Sequence, residues 1–331
     1  MAAPPPIRVG VMGCARIARR SVVPALLAVP GLRLAGVASR AADKGREFAA
    51  AFGCAFLGDY AALLARDDVD AVYLPLPTGL HAEWAARALR AGKHLLVEKS
   101  LAGSLAEAEA LVALARANRR VMMENYMFRY HAQQAAVKDL VREALGEIRL
   151  FRATFGFPPL PPGDFRYDKA LGGGALLDAG GYPLQACQLF LDGELRVRSA
   201  CLNGPPGGAD LWGGAMLEAE RGGCRVPAQI AFGFDHFYQC GIEIVGQTGR
   251  LTTSRTFTAG PDVVPLAVLE TPGRKTEIPL PTDNHFIRLL EAFARRVHAD
   301  EWEAPCAENL RQARLQDQVR RLAESPKECP P

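Results

Sequence analysis

The sequence predicts two domains. The first is an α/β domain with a parallel Rossmann sheet, and the second is an α+β domain on a large, open, mostly antiparallel sheet. Three observations predict this. At 331 residues the chain is too long for one ordinary core and suits two. Up to about Glu124, short apolar runs alternate with longer amphipathic stretches, the pattern of parallel strands covered by helices on both faces. After Tyr126, strand-like stretches follow one another with only short turns between them, the pattern of an antiparallel sheet. The division is drawn at 1–125 and 126–331.

In order, the apolar runs 7–12, 33–38, 71–74, 94–97 and 121–123 read as strands of the first domain, and 41–52, 80–91 and 105–118 as its helices. Pro24 reads as the first residue of a second helix following a short one, since its missing N–H costs nothing there. A helix at 132–144 and a strand at 147–155 open the second domain, followed by a Pro-rich loop at 157–163 and a helix at 174–191. Strands are expected near 195–202, 213–220, 224–233, 239–245 and 249–254, with closing helices near 284–298 and 307–323. An open sheet covered by helices on one face has a second face to bury. A homodimer or homotetramer through that C-terminal sheet is expected.

Composition removes several function classes. Hydrophobic residues at 49% and charged residues at 23% describe a folded globular chain rather than a disordered one. A net charge of +3, with both signs interspersed, provides no footprint for nucleic acid. The opening Met-Ala-Ala-Pro-Pro-Pro has none of the regions of a signal peptide, and no apolar run reaches the roughly 20 residues that span a bilayer. A cytoplasmic protein without a membrane partner is expected. Eight dispersed cysteines and six histidines show no ligand spacing, so no metal is expected.

The first strand runs into Gly10-Val-Met-Gly13-Cys-Ala15-Arg-Ile-Ala18, with small residues at the three places where a dinucleotide fingerprint needs them. Ala15 replaces the usual middle glycine. The second strand ends in Ser39-Arg40, where an NAD site would carry Asp or Glu for the ribose 2′-hydroxyl. A hydroxyl beside a guanidinium suits a 2′-phosphate, so NADP(H) is the expected cofactor. Its expected contacts are Gly13, Cys14, Ala15, Arg16 and Ile17 in the first turn, and Ser39, Arg40 and Lys44 after the second strand.

Four further stretches carry a family resemblance. They are Leu74-Pro-Leu-Pro-Thr-Gly-Leu-His81, Ala91-Gly-Lys-His-Leu-Leu-Val-Glu98-Lys99-Ser, Gly172-Gly-Gly-Ala-Leu-Leu-Asp178-Ala-Gly180-Gly-Tyr182 and Gly246-Gln-Thr-Gly-Arg-Leu251. Together they resemble the glucose–fructose oxidoreductase/inositol dehydrogenase/rhizopine-catabolism (Gfo/Idh/MocA) family over about residues 7–323. The resemblance implies that Leu76, Pro77, His81 and Glu98 line the cofactor and that Lys99 reaches nicotinamide and substrate. The family usually follows that lysine with proline, where this chain has Ser100. In the second-domain motif Tyr182 stands where the family usually keeps an acid/base histidine, and Gln185 where it keeps an aspartate. Helical spacing puts Asp178 and Tyr182 on one face, and Pro183 is expected to kink that helix near Gly180-Gly181.

Tyr126, Phe128 and Arg129 in Met123–His131, and Arg166 in Phe165-Arg166-Tyr167, look like the branch holding nucleotide-diphosphate-sugar 3-ketoreductases and also dihydrodiol and xylose dehydrogenases; aromatics at a domain junction are more often packing than ligand contacts. With Asp178, Tyr182 and Lys99 they form the expected substrate set. The implied activity is NADPH-dependent reduction of a nucleotide-linked 3-keto-deoxyhexose, with Tyr182 as proton donor and Lys99 stabilising the developing oxyanion. Two alternatives stay open at this point. One is an NADP-dependent dehydrogenase of a free sugar, cyclitol or dihydrodiol. The other is a non-catalytic NADP(H)-binding regulator, which the retention of Lys99 and Tyr182 argues against.

Overall fold

The computed structural model describes residues 4–324. Its first sheet has six strands: β1 (Ile7–Met12), β2 (Leu32–Ala38), β3 (Ala55–Phe56), β4 (Ala71–Leu74), β5 (His94–Val97) and β6 (Met122–Glu124). They are all parallel and lie in the order β3-β2-β1-β4-β5-β6, the dinucleotide-binding arrangement. The central strands are short apolar runs because helices cover them on both sides; every residue of β4 is buried. The strand order reverses between β1 and β4, and ligands of open α/β sheets bind at the carboxyl ends of strands at such a point.

The first crossover departs from the expected pair of helices. One unbroken helix runs over 16–28, its residues Ala18–Val22 forming a π-turn before α1 (Val23–Ala28). The Val23 amide bonds back five residues to the Ala18 carbonyl, and Pro24, with no amide to offer, follows directly. A widened turn thus accommodates the proline where a break was expected. The remaining helices of this sheet are α2 (Ala42–Phe52), α3 (Tyr60–Leu64), α4 (His81–Arg90) and α5 (Leu105–Ala117). A reciprocal capping box starts α5: Ser104 Oγ accepts from the Glu107 amide, and the Glu107 carboxylate accepts from the Ser104 amide at 3.1 Å.

Among the described residues, those up to Met127 cluster with Phe286–Ala313, and Phe128–His285 cluster with those from Arg314 onward. A single division at 125/126 leaves 286–313 with the second domain; the contacts put that segment with the first. The reason is the exposed edge of β6, which pairs only with β5. Asn309 Nδ2 donates to the Met122 carbonyl at 2.8 Å, Gln312 Nε2 donates to the Tyr126 hydroxyl at 3.2 Å, and Arg116 pairs with Glu303. The first of these satisfies a backbone carbonyl of the edge strand, and the other two hold the segment beside it.

In the second unit, α6 (Ala132–Ala144) precedes β7 (Ile148–Gly156), and α7 (Gly181–Phe190) precedes β8 (Glu194–Asn203). The sheet continues with β9 (Trp212–Arg221), β10 (Cys224–Gly233), β11 (Gln239–Gly246), β12 (Arg250–Ser254), β13 (Leu266–Thr271) and β14 (Arg274–Pro279). Its order is β14-β13-β12-β11-β7-β10-β9-β8, antiparallel throughout except for the parallel pair β7–β10. The last hairpin, β13–β14, was not expected. Its charged residues Glu270, Arg274, Lys275 and Glu277 hide the alternation and keep an edge soluble. The face opposite α7 carries Trp212 and Met216, together with a polar row in which Arg152 bonds Gln229 at 2.8 Å and Glu243 at 2.6 Å.

Buried histidines, His94 and His285 among them, make this fold sensitive to acid. Burial pushes His94 down to about 4, and burial together with the His131 charge pushes His285 down to about 3. Both therefore fold as neutral rings, and the His94 Nδ1 accepts from the Val121 amide. An unfolded histidine titrates near ~6.5. Stability should hold above that pH and fall as pH drops from about 6.5 toward 4, because the unfolded chain then binds more protons. Each histidine contributes at most about 1.4 kcal/mol per pH unit. Urea unfolding at pH 7 and pH 5 measures the fall, and His94→Gln should reduce it; an unchanged pH slope in that variant would contradict the assignment.

Candidate active site

The turn after β1 is held in place from both sides. The Gly13 amide bonds the Ala38 carbonyl at 2.9 Å, and Gly13 adopts φ +116°, a backbone that favours glycine. A Cβ there would lie 3.0 Å from Leu76 and 3.5 Å from the Tyr60 hydroxyl, so the β1 and β4 turns meet closely at the switch point. The helix that follows makes its first backbone bond from Arg19 to the Ala15 carbonyl, and the amides ahead of it suit a pyrophosphate. Ala15 and Ile17 are half-buried and Arg16 is exposed. Cys14 Sγ reaches the Lys44 carbonyl at 3.6 Å, which brings α2 beside the turn.

Ser39 and Arg40 lie past β2 as expected. Ser39 Oγ accepts from the Ala41 amide at 3.2 Å, leaving its hydroxyl hydrogen to donate. Arg40 is exposed, and its charge acts on the Tyr60 phenol, whose pKa burial nevertheless raises. The nearest acid in sequence, Asp43, is paired with Arg46 at 2.7 Å. This donor set, a hydroxyl and a guanidinium with no carboxylate at the end of β2, fits a phosphorylated dinucleotide.

At the carboxyl end of β5, Glu98 Oε1 accepts from the Tyr73 hydroxyl at 2.7 Å and from Asn125 Nδ2 at 2.6 Å. Burial raises the Glu98 pKa, while Tyr73, the neighbouring Lys99 charge and Asn125 pull the other way. Burial and the same carboxylate push the Tyr73 phenol well above its usual value, so it stays a donor. The peptide joining Lys99 to Ser100 is cis. His81, expected at the cofactor, is fully buried instead. Its ring nitrogens lie 2.8 Å from the Ser100 and Leu76 carbonyls, and burial lowers its pKa. His81 ties the two loops together from behind.

In the second unit Tyr182 begins α7, after a π-turn at Leu176–Gly180. The expected kink before Pro183 is thus a widened turn, the same solution as at Pro24. The Tyr182 ring is walled by Phe155 at 4.8 Å, with Phe128 and Phe257 each at 5.8 Å. One helical turn earlier, Asp178 Oδ2 pairs with Arg166 Nε at 2.9 Å; Arg166 also pairs with Asp164 at 3.1 Å and stacks on Phe165. Burial opposes the charge on Arg166, but Asp178 and Asp164 outweigh it and raise its pKa.

The glycine run ahead of this helix serves Asp210, a residue sequence reading missed. Asp210 Oδ2 accepts from the Leu176 amide at 2.7 Å, and the Ala175 amide bonds the Asp210 carbonyl at 2.7 Å. Gly174 has φ +123°, and a Cβ there would run into the Asp210 carboxylate. Asp210 therefore acts as the N-terminal acceptor of the Tyr182 helix from a distant loop.

Two of the expected substrate residues are buried within their own unit. Tyr126 is 1% exposed with its hydroxyl bonded by Gln312, and Phe128 is 0% exposed among other rings. Both side chains have packing or hydrogen-bond partners inside the protein. Arg129 is half-buried, and its charge reaches Lys138 on α6. Among the described residues no group of His, Cys, Asp and Glu could hold a metal ion, and no helix is long and apolar enough to cross a membrane.

The fold and this donor set define a Rossmann-type oxidoreductase. The GFO/IDH/MocA model, described as an oxidoreductase family with an NAD-binding Rossmann fold, matches residues 7–126, and the model of that family's C-terminal domain matches 134–252. The chain belongs to this family. It is 45% identical over 320 residues, 95% of each chain, to dTDP-3,4-didehydro-2,6-dideoxy-alpha-D-glucose 3-reductase of Actinomadura kijaniata. It is 35% identical over 298 residues, 88% of this chain and 89% of the relative, to D-xylose 1-dehydrogenase (NADP(+)) 2 of Haloferax volcanii. The crystal structure of KijD10, a 3-ketoreductase from Actinomadura kijaniata in complex with NADP and TDP-benzene, superposes with a TM-score of 0.90. That match has 44% identity and covers 96% of this chain and 97% of that one.

Asp210 yields a prediction about this half of the site. Asp210→Ala should cost about 0.5–2 kcal/mol, the loss of a helix cap, and should lower kcat by loosening the Tyr182 helix. Asp210→Asn keeps an acceptor and should recover most of both. Chemical denaturation and steady-state kinetics check this; an alanine variant with parental stability and kcat would refute it.

Proposed function

We propose that the protein is an NADPH-dependent reductase of a nucleotide-diphosphate-linked 3-keto-deoxyhexose, acting at C-3. The observation that carries this reading is the 45% identity, over 95% of both chains, to a reductase of that description. Lys99 and Tyr182, the two residues with the required chemistry, stand in the matching motifs. A cytoplasmic location and self-association through the open face of the second sheet belong to the same proposal. The uncharged Trp212 and Met216 on that face support the association, and light scattering showing a monomer would remove that part.

The fit of the β1 turn, Ser39 and Arg40 supports NADP(H) as the redox partner, with Gly13, Cys14, Ala15, Arg16, Ile17, Lys44, Leu76 and Pro77 around it. When bound, the reduced nicotinamide supplies hydride to the ketone carbon. The residues of this chain do the rest. Lys99 places an ammonium at the developing oxyanion, with Glu98 beside it as counter-charge. Tyr182 delivers its phenolic proton to that oxygen, its ring held in orientation by Phe155, Phe128 and Phe257. Asp178, held by Arg166, presents acceptor oxygens suited to sugar hydroxyls. Arg166 already answers two carboxylates, so it serves the site by orienting Asp178.

The similarity to the xylose dehydrogenase favours one second reading, oxidation of a free sugar by the same groups run in reverse. Turnover separates the two. NADPH oxidation with dTDP-linked 3-ketosugar, and none with free sugars or diols, is the expected result. The opposite pattern would establish the dehydrogenase.

Arg40→Ala should weaken NADPH binding by about 1.5–3 kcal/mol, the strength of a charge-assisted bond to the 2′-phosphate, and leave NADH binding nearly unchanged. Equal affinity of the parent protein for both cofactors would end this assignment. Tyr182→Phe should lower kcat by about 10²–10⁴-fold with cofactor affinity preserved. Lys99→Met, which keeps the bulk and removes the charge, should do comparable damage, and the double variant should be little worse than either alone. If Tyr182→Phe keeps most of its kcat while Lys99→Met is inactive, then the lysine or a water on it is the proton donor.

A further inference from the structure

One polar group at the carboxyl edge of the first sheet has no part in the roles above. The Asn125 amide donates to the Val97 carbonyl at 2.8 Å, which continues the β5–β6 pairing one residue past β6 and sets Asn125 beside Glu98. Its side chain is enclosed, with the residue 1% exposed. Asn125 Nδ2 donates to Glu98 Oε1, the oxygen that also receives the Tyr73 hydroxyl. An ionised carboxylate only accepts, so the amide turns its nitrogen to Glu98 and its oxygen away. That oxygen, Oδ1, is buried and has no hydrogen-bond partner.

Buried acceptors in folded proteins are paired in the great majority of cases, and an exception needs a cause. This one stands at the edge where open α/β sheets bind their ligands, next to Glu98 and Lys99. From these contacts we infer that Asn125 Oδ1 accepts a hydrogen bond from an N–H or O–H donor of the bound ligand. The donor is either the carboxamide of the nicotinamide cofactor or a hydroxyl of the sugar. Tyr73 and Glu98 are positioning residues that hold the amide in this orientation. The inference rests on the oxidoreductase reading and adds a ligand contact to it.

The acceptor is removed by Asn125→Ala. NADPH affinity is measured by fluorescence titration without any sugar, and KM is measured for whichever substrate the parent enzyme turns over best. Losing one neutral hydrogen bond should weaken one of these two by about 3–10-fold and leave the other within two-fold. A change in the cofactor titration assigns the donor to the carboxamide, and a change in KM alone assigns it to the sugar. Tyr73→Phe should produce a smaller change in the same quantity, since Glu98 loses one of its two neutral donors. Loss of the Nδ2 bond to Glu98 lowers the melting temperature in either case, so the affinities decide: a merely structural Asn125 would reduce kcat with both affinities intact, and that result would overturn the inference. Should Asn125→Ala fail to fold, Asn125→Ser supplies a hydroxyl donor nearer the backbone while removing the carboxamide oxygen from its position, and the same two affinities decide. The cofactor titration is independent of the sugar, so a parent enzyme that ignores nucleotide-linked ketosugars would refute the proposed substrate without touching this test.

Discussion

The register of three parallel strands governs what can happen in the first unit. Leu74 is paired with Val97, and Val97 with Glu124, so β4, β5 and β6 end on one line. Whatever residue follows each strand is placed at that edge by backbone hydrogen bonds, whatever its own propensities. Pro75, Glu98 and Asn125 are those residues, with Lys99 one step further on. The Glu98 carboxylate can sit there because Tyr73, Asn125 and the Lys99 charge offset the cost of its burial. Removing any one of them would leave the buried Glu98 carboxylate with less compensation.

The second unit meets a different constraint: a helix carrying a proline and packed closely on a sheet. Two helices of this chain place a π-turn just before a proline, at Ala18–Val22 and at Leu176–Gly180. In both, the extra residue in the turn accommodates the proline ring and its missing donor, so the helix continues without a break. For the Tyr182 helix the consequence is local precision. Asp210 anchors its start, aromatic rings clamp its first turn, and Arg166 holds Asp178 one turn earlier. A phenol mounted this way is held in one orientation, as the proposed role of proton donor requires.

Much of the site was legible along the chain because its signals are short in sequence. A glycine turn after a strand, Ser39-Arg40 at the end of the next, Glu98-Lys99 and the Asp178–Tyr182 spacing each follow from a few neighbouring residues and the period of their element. Polarity and aromaticity were poorer guides. Tyr126, Phe128 and His81 have the chemistry of ligand contacts, and the structure gives each of them burial and partners within its unit that the sequence did not reveal. A side chain's chemistry does not say which way it faces.

By itself, then, the sequence determined the alternation of strand and helix, the glycine turn after the first strand, and the residue types offered after the strands. These are local or periodic properties, set by backbone sterics and by which side of an element is apolar. Only the tertiary structure decided that 286–313 close the β6 edge, that Asp210 caps a helix 34 positions away, and that Asn125 turns an unsatisfied oxygen away from Glu98. Those outcomes depend on residues far apart in the chain meeting at hydrogen-bond distance. Loop closure and packing geometry decide such meetings, and neither leaves a periodic trace in the sequence.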